Sequence, residues 1–430
     1  MKRTRRLILK SFVVGLASLS LLSGCSLLPH PSHAKGKRAF IAYWPPAENR
    51  SELKLAVKDN IDMKGVVTTA GSELFAKTHQ PAVQDAACLA IARQRNVQIV
   101  GKTNLSEFAV SPSGFNEYFG TPRNPLGGWR KLIPGGSSCG SAVAVAKGLA
   151  DVAFGTDTAG SVRVPAACCG IVGLKTTHGL VPVDGVHPIE PEHLDTVGPM
   201  GRDIAHTVQG MDLLQSGFAG RYDAATAAKP SAAGIRIGRL TLKGTDARID
   251  QAVDQALART GFQVVPLHED FNAKWEQAKK DGNTIAAAGA WRSDRKFISK
   301  IGVSARTKTI ILFGKTASGA KYRQAVARQR KWQQTLRAVF KKVDFIALPT
   351  MQSTPPVILP SLKMAILEAR MLGLQNTVPV NFAGNPALAL PIPLRHASVR
   401  ATSLQLIGPR LSEAELLNAG RLVESAVKKK

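Results

Sequence analysis

The chain of 430 residues is short of cysteine, of acidic side chains and of several motifs that would decide its chemistry at once. Its five cysteines, Cys25, Cys88, Cys139, Cys168 and Cys169, form no paired CxxC motifs of the zinc-binding kind. Vicinal cysteines such as Cys168 and Cys169 rarely bridge each other, so the four beyond Cys25 read as small buried side chains. No glycine-rich segment ends in Gly-Lys-Ser or Gly-Lys-Thr, and Gly101-Lys102-Thr103 lacks the upstream glycine, which argues against a nucleotide phosphate loop. His187, Glu190 and His193 lie among prolines that deny them one helical ligand face, so they read as a polar loop and no metal is expected. Acidic residues number 30 against 57 lysines and arginines, a formal charge of +27. Such a surface is drawn to anionic lipid or wall polymer. The sharpest basic run, Lys321 to Lys342, places Tyr322, Val326, Leu336 and Val339 on one helical face and reads as a solvated face over a core stripe.

What the chain does have begins at its N-terminus. Residues 1–24 run from a basic segment through an apolar stretch to small residues, the pattern of a secretory signal. Thr4-Arg5-Arg6-Leu7-Ile8-Leu9-Lys10 resembles a twin-arginine export signal, and Leu22-Ser23-Gly24-Cys25 resembles the lipobox before a lipidated cysteine. The expected arrangement is a signal peptide over 1–24, a linker over 25–40 that starts at a lipid-bearing Cys25, and one folded domain over 41–430. That places the protein outside the cytoplasm, in the periplasm or cell envelope, anchored to membrane. A chain exported already folded has no need of disulfides formed outside the cytoplasm, in keeping with its few cysteines.

Within the domain, apolar runs alternate with helical patterns. Strands are expected at Leu53 to Val57, Val97 to Val100, Val152 to Phe154, Ile235 to Ile237, Val264 to Leu267, Phe345 to Leu348 and Ala387 to Leu390. Helices are expected at Asp85 to Arg95, Ser141 to Leu149, Ile249 to Thr260 and after Ser412, where Glu415 completes a capping-box pattern. This order reads as α/β, a single large domain with a central β-sheet covered by helices.

Two glycine- and serine-rich segments stand out, Pro134-Gly135-Gly136-Ser137-Ser138-Cys139-Gly140-Ser141 and Gly155-Thr156-Asp157-Thr158-Ala159-Gly160-Ser161-Val162-Arg163. Glycine-rich turns let backbone N–H groups approach a ligand and stabilise negative charge, either a phosphate or an oxyanion. Together with Ala56-Val57-Lys58-Asp59-Asn60, these segments resemble the amidase signature family. Gly101-Lys102-Thr103-Asn104, Thr196-Val197-Gly198-Pro199-Met200, Leu348-Pro349-Thr350, Asn381-Phe382-Ala383-Gly384 and Gln405-Leu406-Ile407-Gly408 continue the resemblance in order over roughly residues 54 to 425.

The resemblance implies an amidase that hydrolyses carbon–nitrogen amide bonds of a small-molecule substrate through an acyl-serine, with no cofactor. It implies a mixed sheet, Lys58 as base, Ser137 on a cis peptide as relay and Ser161 as nucleophile. Backbone N–H groups of Thr158, Ala159, Gly160 and Ser161 would hold the oxyanion, with Ser138, Asp157 and Arg163 in support. No histidine stands in these motifs, so a neutral lysine must take the serine proton, which needs its pKa lowered by about three units from 10.4. Ala159 and Cys139 replace glycines usual in the family, and a positive φ at either would be strained by about 1 kcal/mol.

Three other readings compete. Ser51-Glu52-Leu53-Lys54 and Ser293-Asp294-Arg295-Lys296 carry the Ser-x-x-Lys pattern of penicillin-recognising enzymes, but no Lys-Thr-Gly accompanies them. A weak or inactive amidase-like envelope protein could use the basic surface to bind anionic partners. The amidase-like component of the tRNA-dependent amidotransferase also fits the resemblance, but an export signal would separate it from tRNA, and no nucleic-acid partner is expected. Amide against ester preference and oligomeric state are left open.

Overall fold

The computed structural model describes residues 38–46, 52–395, 397, 399 and 401–428. The expected signal peptide, Cys25 and most of the linker lie outside the described residues. Eleven strands form one sheet: β1 (Phe40–Tyr43), β2 (Lys54–Lys58), β3 (Gln98–Thr103), β4 (Val152–Asp157), β5 (Val172–Lys175), β6 (Thr196–Gly201), β7 (Arg236–Arg239), β8 (Gln263–Pro266), β9 (Phe345–Pro349), β10 (Ala387–Pro393) and β11 (Ala401–Ile407). Their spatial order is β1-β3-β2-β4-β6-β5-β10-β11-β9-β7-β8. Pairing is parallel for β3-β2-β4 and for β9-β7-β8, and antiparallel from β4 to β9 and at β1. The sheet is mixed, as the resemblance implies.

Thirteen α-helices are found among the described residues. They are α1 (Glu73–Thr78), α2 (Ala90–Gln94), α3 (Cys139–Ala146), α4 (Arg163–Cys169), α5 (Ile204–Asp212), α6 (Phe218–Ala228), α7 (Ala247–Thr260), α8 (Glu269–Asp294), α9 (Ala305–Ala317), α10 (Ala320–Phe340), α11 (Ser361–Leu374), α12 (Val378–Ala383) and α13 (Glu413–Lys428). The largest core joins β2, β4, β5 and β10 to α5, α7 and α13, and a second joins β9 to α8, α10 and α12. Helices thus cover both faces, and a strand such as β4, buried at every residue, needs an unbroken apolar run rather than alternation.

All seven expected strands are present. The Asp85 to Arg95 helix shortens to α2 after a 3-10 turn at Ala87–Leu89. At the start of α13 the Ser412 hydroxyl donates to the Pro409 carbonyl rather than bonding back into the helix. The basic run is α10, which buries Ala325, Trp332 and Leu336 and half-buries Tyr322, Val326 and Val339 against the second core.

The parallel strands β2 and β4 position the site. Lys58 ends β2, and Ser161 lies four residues past β4. The Ser137 loop enters α3, whose Ala142 and Val143 pack in one core with Ala56 and Ala153.

Candidate active site

Lys58 is fully buried, with its Nζ 2.7 Å from Ser137 Oγ and 2.7 Å from Thr156 Oγ1. Thr156 Oγ1 also accepts from Asn60 Nδ2 at 3.1 Å. Among the described residues no carboxylate lies within hydrogen-bond reach of this Nζ. Burial lowers the Lys58 pKa to about 7; Cys139, Asp157 and Asp195 act at longer range in the opposite sense. That is the shift a lysine base requires.

Ser137 is fully buried and follows a cis Gly136–Ser137 peptide. Its carbonyl accepts from Ser106 N–H at 3.1 Å and from Cys139 N–H at 2.9 Å. Gly136 is confined to glycine by space: a Cβ there would stand 2.5 Å from the Ser111 carbonyl and 2.6 Å from Gly114 N. The Gly136 N–H donates to the Pro112 carbonyl at 2.7 Å. Around that turn, the Ser111 and Ser113 hydroxyls and the Arg306 guanidinium all donate to Glu368 Oε1 of α11. The Ser137 loop is thereby tied to a helix more than 200 residues further along the chain.

Ser161 is partly exposed, whereas Ser137 and Lys58 are sealed from solvent behind it. The Ser138 N–H donates to the Ser161 carbonyl at 3.2 Å, which holds the two serine loops together, and Ser138 Oγ lies 3.4 Å from the Thr156 carbonyl. Ser161 thus offers a hydroxyl to solvent, while Ser137 and Lys58 lie in a dry interior.

Asp157 and Arg163 form the floor of the loop between them. Both are fully buried; Arg163 Nε and Nη2 each stand 3.0 Å from an Asp157 carboxylate oxygen, a bidentate pair. Burial opposes ionisation of Asp157, but the Arg163 charge and hydrogen bonds outweigh it and hold the carboxyl well below its usual range. The carboxylate also accepts from Gly160 N–H at 2.7 Å, Val162 N–H at 3.1 Å and Asn381 Nδ2 at 2.9 Å. Gly160 N–H is therefore already taken up, which corrects its expected place among the oxyanion donors. Among the described residues no partner claims the N–H of Thr158, Ala159 or Ser161. Gly160 is instead required for shape, at φ 133° with the Thr377 side chain where a Cβ would go.

The two substituted glycines prove harmless to the backbone. Neither Ala159 nor Cys139 has a positive φ. Cys139 opens α3 in a fully buried position, and burial pushes its thiol up to about 12. The Ala159 carbonyl accepts from Thr377 Oγ1 at 2.6 Å.

Several residues of this constellation escaped the sequence reading. Thr156 and Asn60 stand inside the quoted motifs without an assigned role. Asp195 accepts from Thr158 Oγ1 at 2.6 Å and from the N–H groups of Ile189 and Glu190 at 2.9 Å each, bracing the far side of the loop. Burial raises its pKa, and those three donors work against the rise. Gln405 accepts from Arg163 Nη1 at 2.7 Å and Asn381 Oδ1 accepts from Arg163 Nη2, so the Asn381 and Gln405 segments meet at one guanidinium. The loop of His187, Glu190 and His193 splits: His187 pairs with Asp294 at 3.1 Å, while Glu190 is held by Arg292 and lies near Glu192 and His193.

The family profile named Amidase matches residues 53–417. The chain belongs to the amidase family. A glutamyl-tRNA(Gln) amidotransferase subunit of Natronomonas pharaonis is 33% identical to this amidase over 410 residues, covering 86% of this chain and 94% of the relative. The 2-amino-5-chloromuconic acid deaminase of Comamonas testosteroni is 32% identical over 388 residues, covering 87% and 81%. Among solved structures, the corresponding glutamyl-tRNA(Gln) amidotransferase subunit of Thermotoga maritima superposes with a TM-score of 0.71 at 26% identity, covering 91% of this chain and 88% of that one. The amidase is an enzyme of amide carbon–nitrogen bonds.

Proposed function

We propose that this amidase works through Ser161 as nucleophile, Ser137 as relay and Lys58 as base. The observation that carries the reading is a fully buried lysine, held near neutrality, whose Nζ meets hydroxyls and no carboxylate among the described residues. When Lys58 is neutral its lone pair accepts the Ser137 proton along the same 2.7 Å line, and Ser137 Oγ takes the proton of Ser161. Ser161 Oγ then bonds to the amide carbon, and the carbonyl oxygen becomes an oxyanion facing the N–H groups of Thr158, Ala159 and Ser161. Each such donor is worth on the order of 3 kcal/mol in the transition state. The proton returns through Ser137 to the amide nitrogen as the carbon–nitrogen bond breaks. Water, deprotonated by the same relay, cleaves the acyl-Ser161 ester. Ser138, Asp157 and Arg163 position the loops.

The substrate is a small amide. The signal over 1–24, the linker over 25–40, lipidation at Cys25 and the domain over 41–430 form a second part of the proposal, supported by the twin-arginine and lipobox-like motifs. Assembly with other subunits, as in the amidotransferases its relatives are named for, is a rival for partners; export of the chain in cells separates the two.

The test is a fluorophosphonate adduct mapped by mass spectrometry on the full chain. It is expected on Ser161 in the native protein and absent in Ser161→Ala. An adduct on another serine of the folded enzyme would overturn the assignment.

A further inference from the structure

From Arg295 to Val343 the chain has fourteen lysines and arginines and no aspartate or glutamate, about half of its formal charge of +27 in 49 residues. This stretch contains α9 and α10, both packed on α8. Among the described residues only Arg306 and Arg328 of those fourteen meet a carboxylate, Arg306 at Glu368 and Glu117 and Arg328 at Asp281.

Charge of one sign is usually a solvated face, but α9 carries a second feature that solvation does not explain. Its inner face buries Arg306, Thr307, Ile311, Gly314 and Ala317. Its outer face presents Phe313 at 69% exposure and Leu312 at 47%, and Ile301 just before the helix is exposed at 94%. Lys308 and Lys315 stand four residues before and three after Leu312, on the same side of the helix. Exposed apolar residues beside lysines, on a helix that itself carries no acidic residue, are an arrangement suited to the interface of an anionic bilayer. A soluble polyanion would use the lysines and leave Phe313 and Leu312 in water.

We propose that the outer face of α9, with Ile301, Leu312 and Phe313 inserted and the surrounding lysines on headgroups, docks this amidase on an anionic lipid surface. This docking does not depend on the amide chemistry or on an anchor at Cys25. The basic face of α10 adds long-range attraction, worth roughly fivefold in binding per lysine or arginine near the surface.

Hydrogen exchange of the full chain on vesicles tests this directly, because it reads α9 whatever else binds lipid. On vesicles of phosphatidylcholine with about a third phosphatidylglycerol, amides of 305–317 are expected to exchange at least severalfold more slowly than on phosphatidylcholine alone. The double substitution Leu312→Ser, Phe313→Ser is expected to abolish that protection, with hydrolysis of a soluble amide unchanged as proof of folding. Absence of α9 protection on anionic vesicles, protection that survives the double substitution, or equal protection by soluble polyphosphate would each overturn the proposal.

Discussion

Two buried lysines stand on neighbouring strands and end in opposite surroundings. Lys58 of β2 meets the hydroxyls of Ser137 and Thr156, whereas Lys102 of β3, registered beside Val57, meets the Asp59 carboxylate at 3.0 Å and the Ile61 carbonyl at 2.6 Å. Both side chains are fully buried, so burial alone does not make a base. What differs is the partner. A carboxylate makes Lys102 one half of an ion pair that ties β3 to the end of β2, while hydroxyls leave Lys58 free to lose its proton.

Substitution to methionine separates the two most sharply. Lys58→Met is expected to lower kcat/KM by about 10⁴-fold or more, the scale of losing a general base in a serine hydrolase, with no loss of thermal stability. Lys102→Met is expected to destabilise the protein by about 3 kcal/mol, because among the described residues Asp59 is left buried with only Thr69 as hydrogen-bond partner, and to lower kcat/KM by at most about tenfold. Urea melts and steady-state kinetics on both variants measure this. Equal activity losses would mean the carboxylate makes no functional difference.

The sequence made one half of this comparison legible and hid the other. Lys58, Ser137 and Ser161 stand in short motifs whose order is specific, and the strands around them have the apolar runs of buried parallel sheet. The strands β5 and β6 went unread because Gly173, Gly198, Pro199 and Gly201 give them no β pattern, although antiparallel neighbours on both sides bury them. The 26-residue α8 went unread because Gly282 and Gly289 interrupt it and its buried positions make no clean stripe; those glycines let Val378 and Ile189 approach the helix. Glu368 and Thr377 carry no local signal at all. They reach the site by packing from 200 or more residues away, which periodicity cannot report.

A pH series sharpens the comparison further. With the Lys58 pKa near 7, kcat/KM is expected to fall about tenfold per unit below pH 7 and to level off above about pH 8. Stability carries the same group with the opposite emphasis. A lysine lowered from 10.5 to about 7 on folding binds its proton more tightly in the unfolded chain, so stability rises with pH between about 7 and the unfolded value. Lys175, lowered to about 7 by burial, with its Nζ donating to the Thr176 and Asn385 carbonyls, contributes likewise. Lys58→Met is therefore expected to reduce, and not remove, the rise in unfolding free energy between pH 7 and 8.5. A rise left unchanged in that variant would mean that Lys58 is not the neutral lysine.

The smallest effect concerns the loop that completes the Lys58 side of the comparison. Ala159 occupies a position where the family usually has glycine, yet its φ is not positive and its carbonyl is fixed by Thr377 Oγ1. Gly160, next to it, has the unusual backbone and the neighbour that forbids a side chain. Ala159→Gly is therefore expected to change kcat less than about threefold and to lower stability by no more than about 1 kcal/mol through added unfolded-state freedom. Gly160→Ala, by contrast, should disturb the Thr377 contact and the N–H held by Asp157, and lose activity well beyond that. If Ala159→Gly instead raised kcat by tenfold or more, the alanine methyl would be obstructing the oxyanion donors, and the neutral lysine would be serving a loop not yet shaped for it.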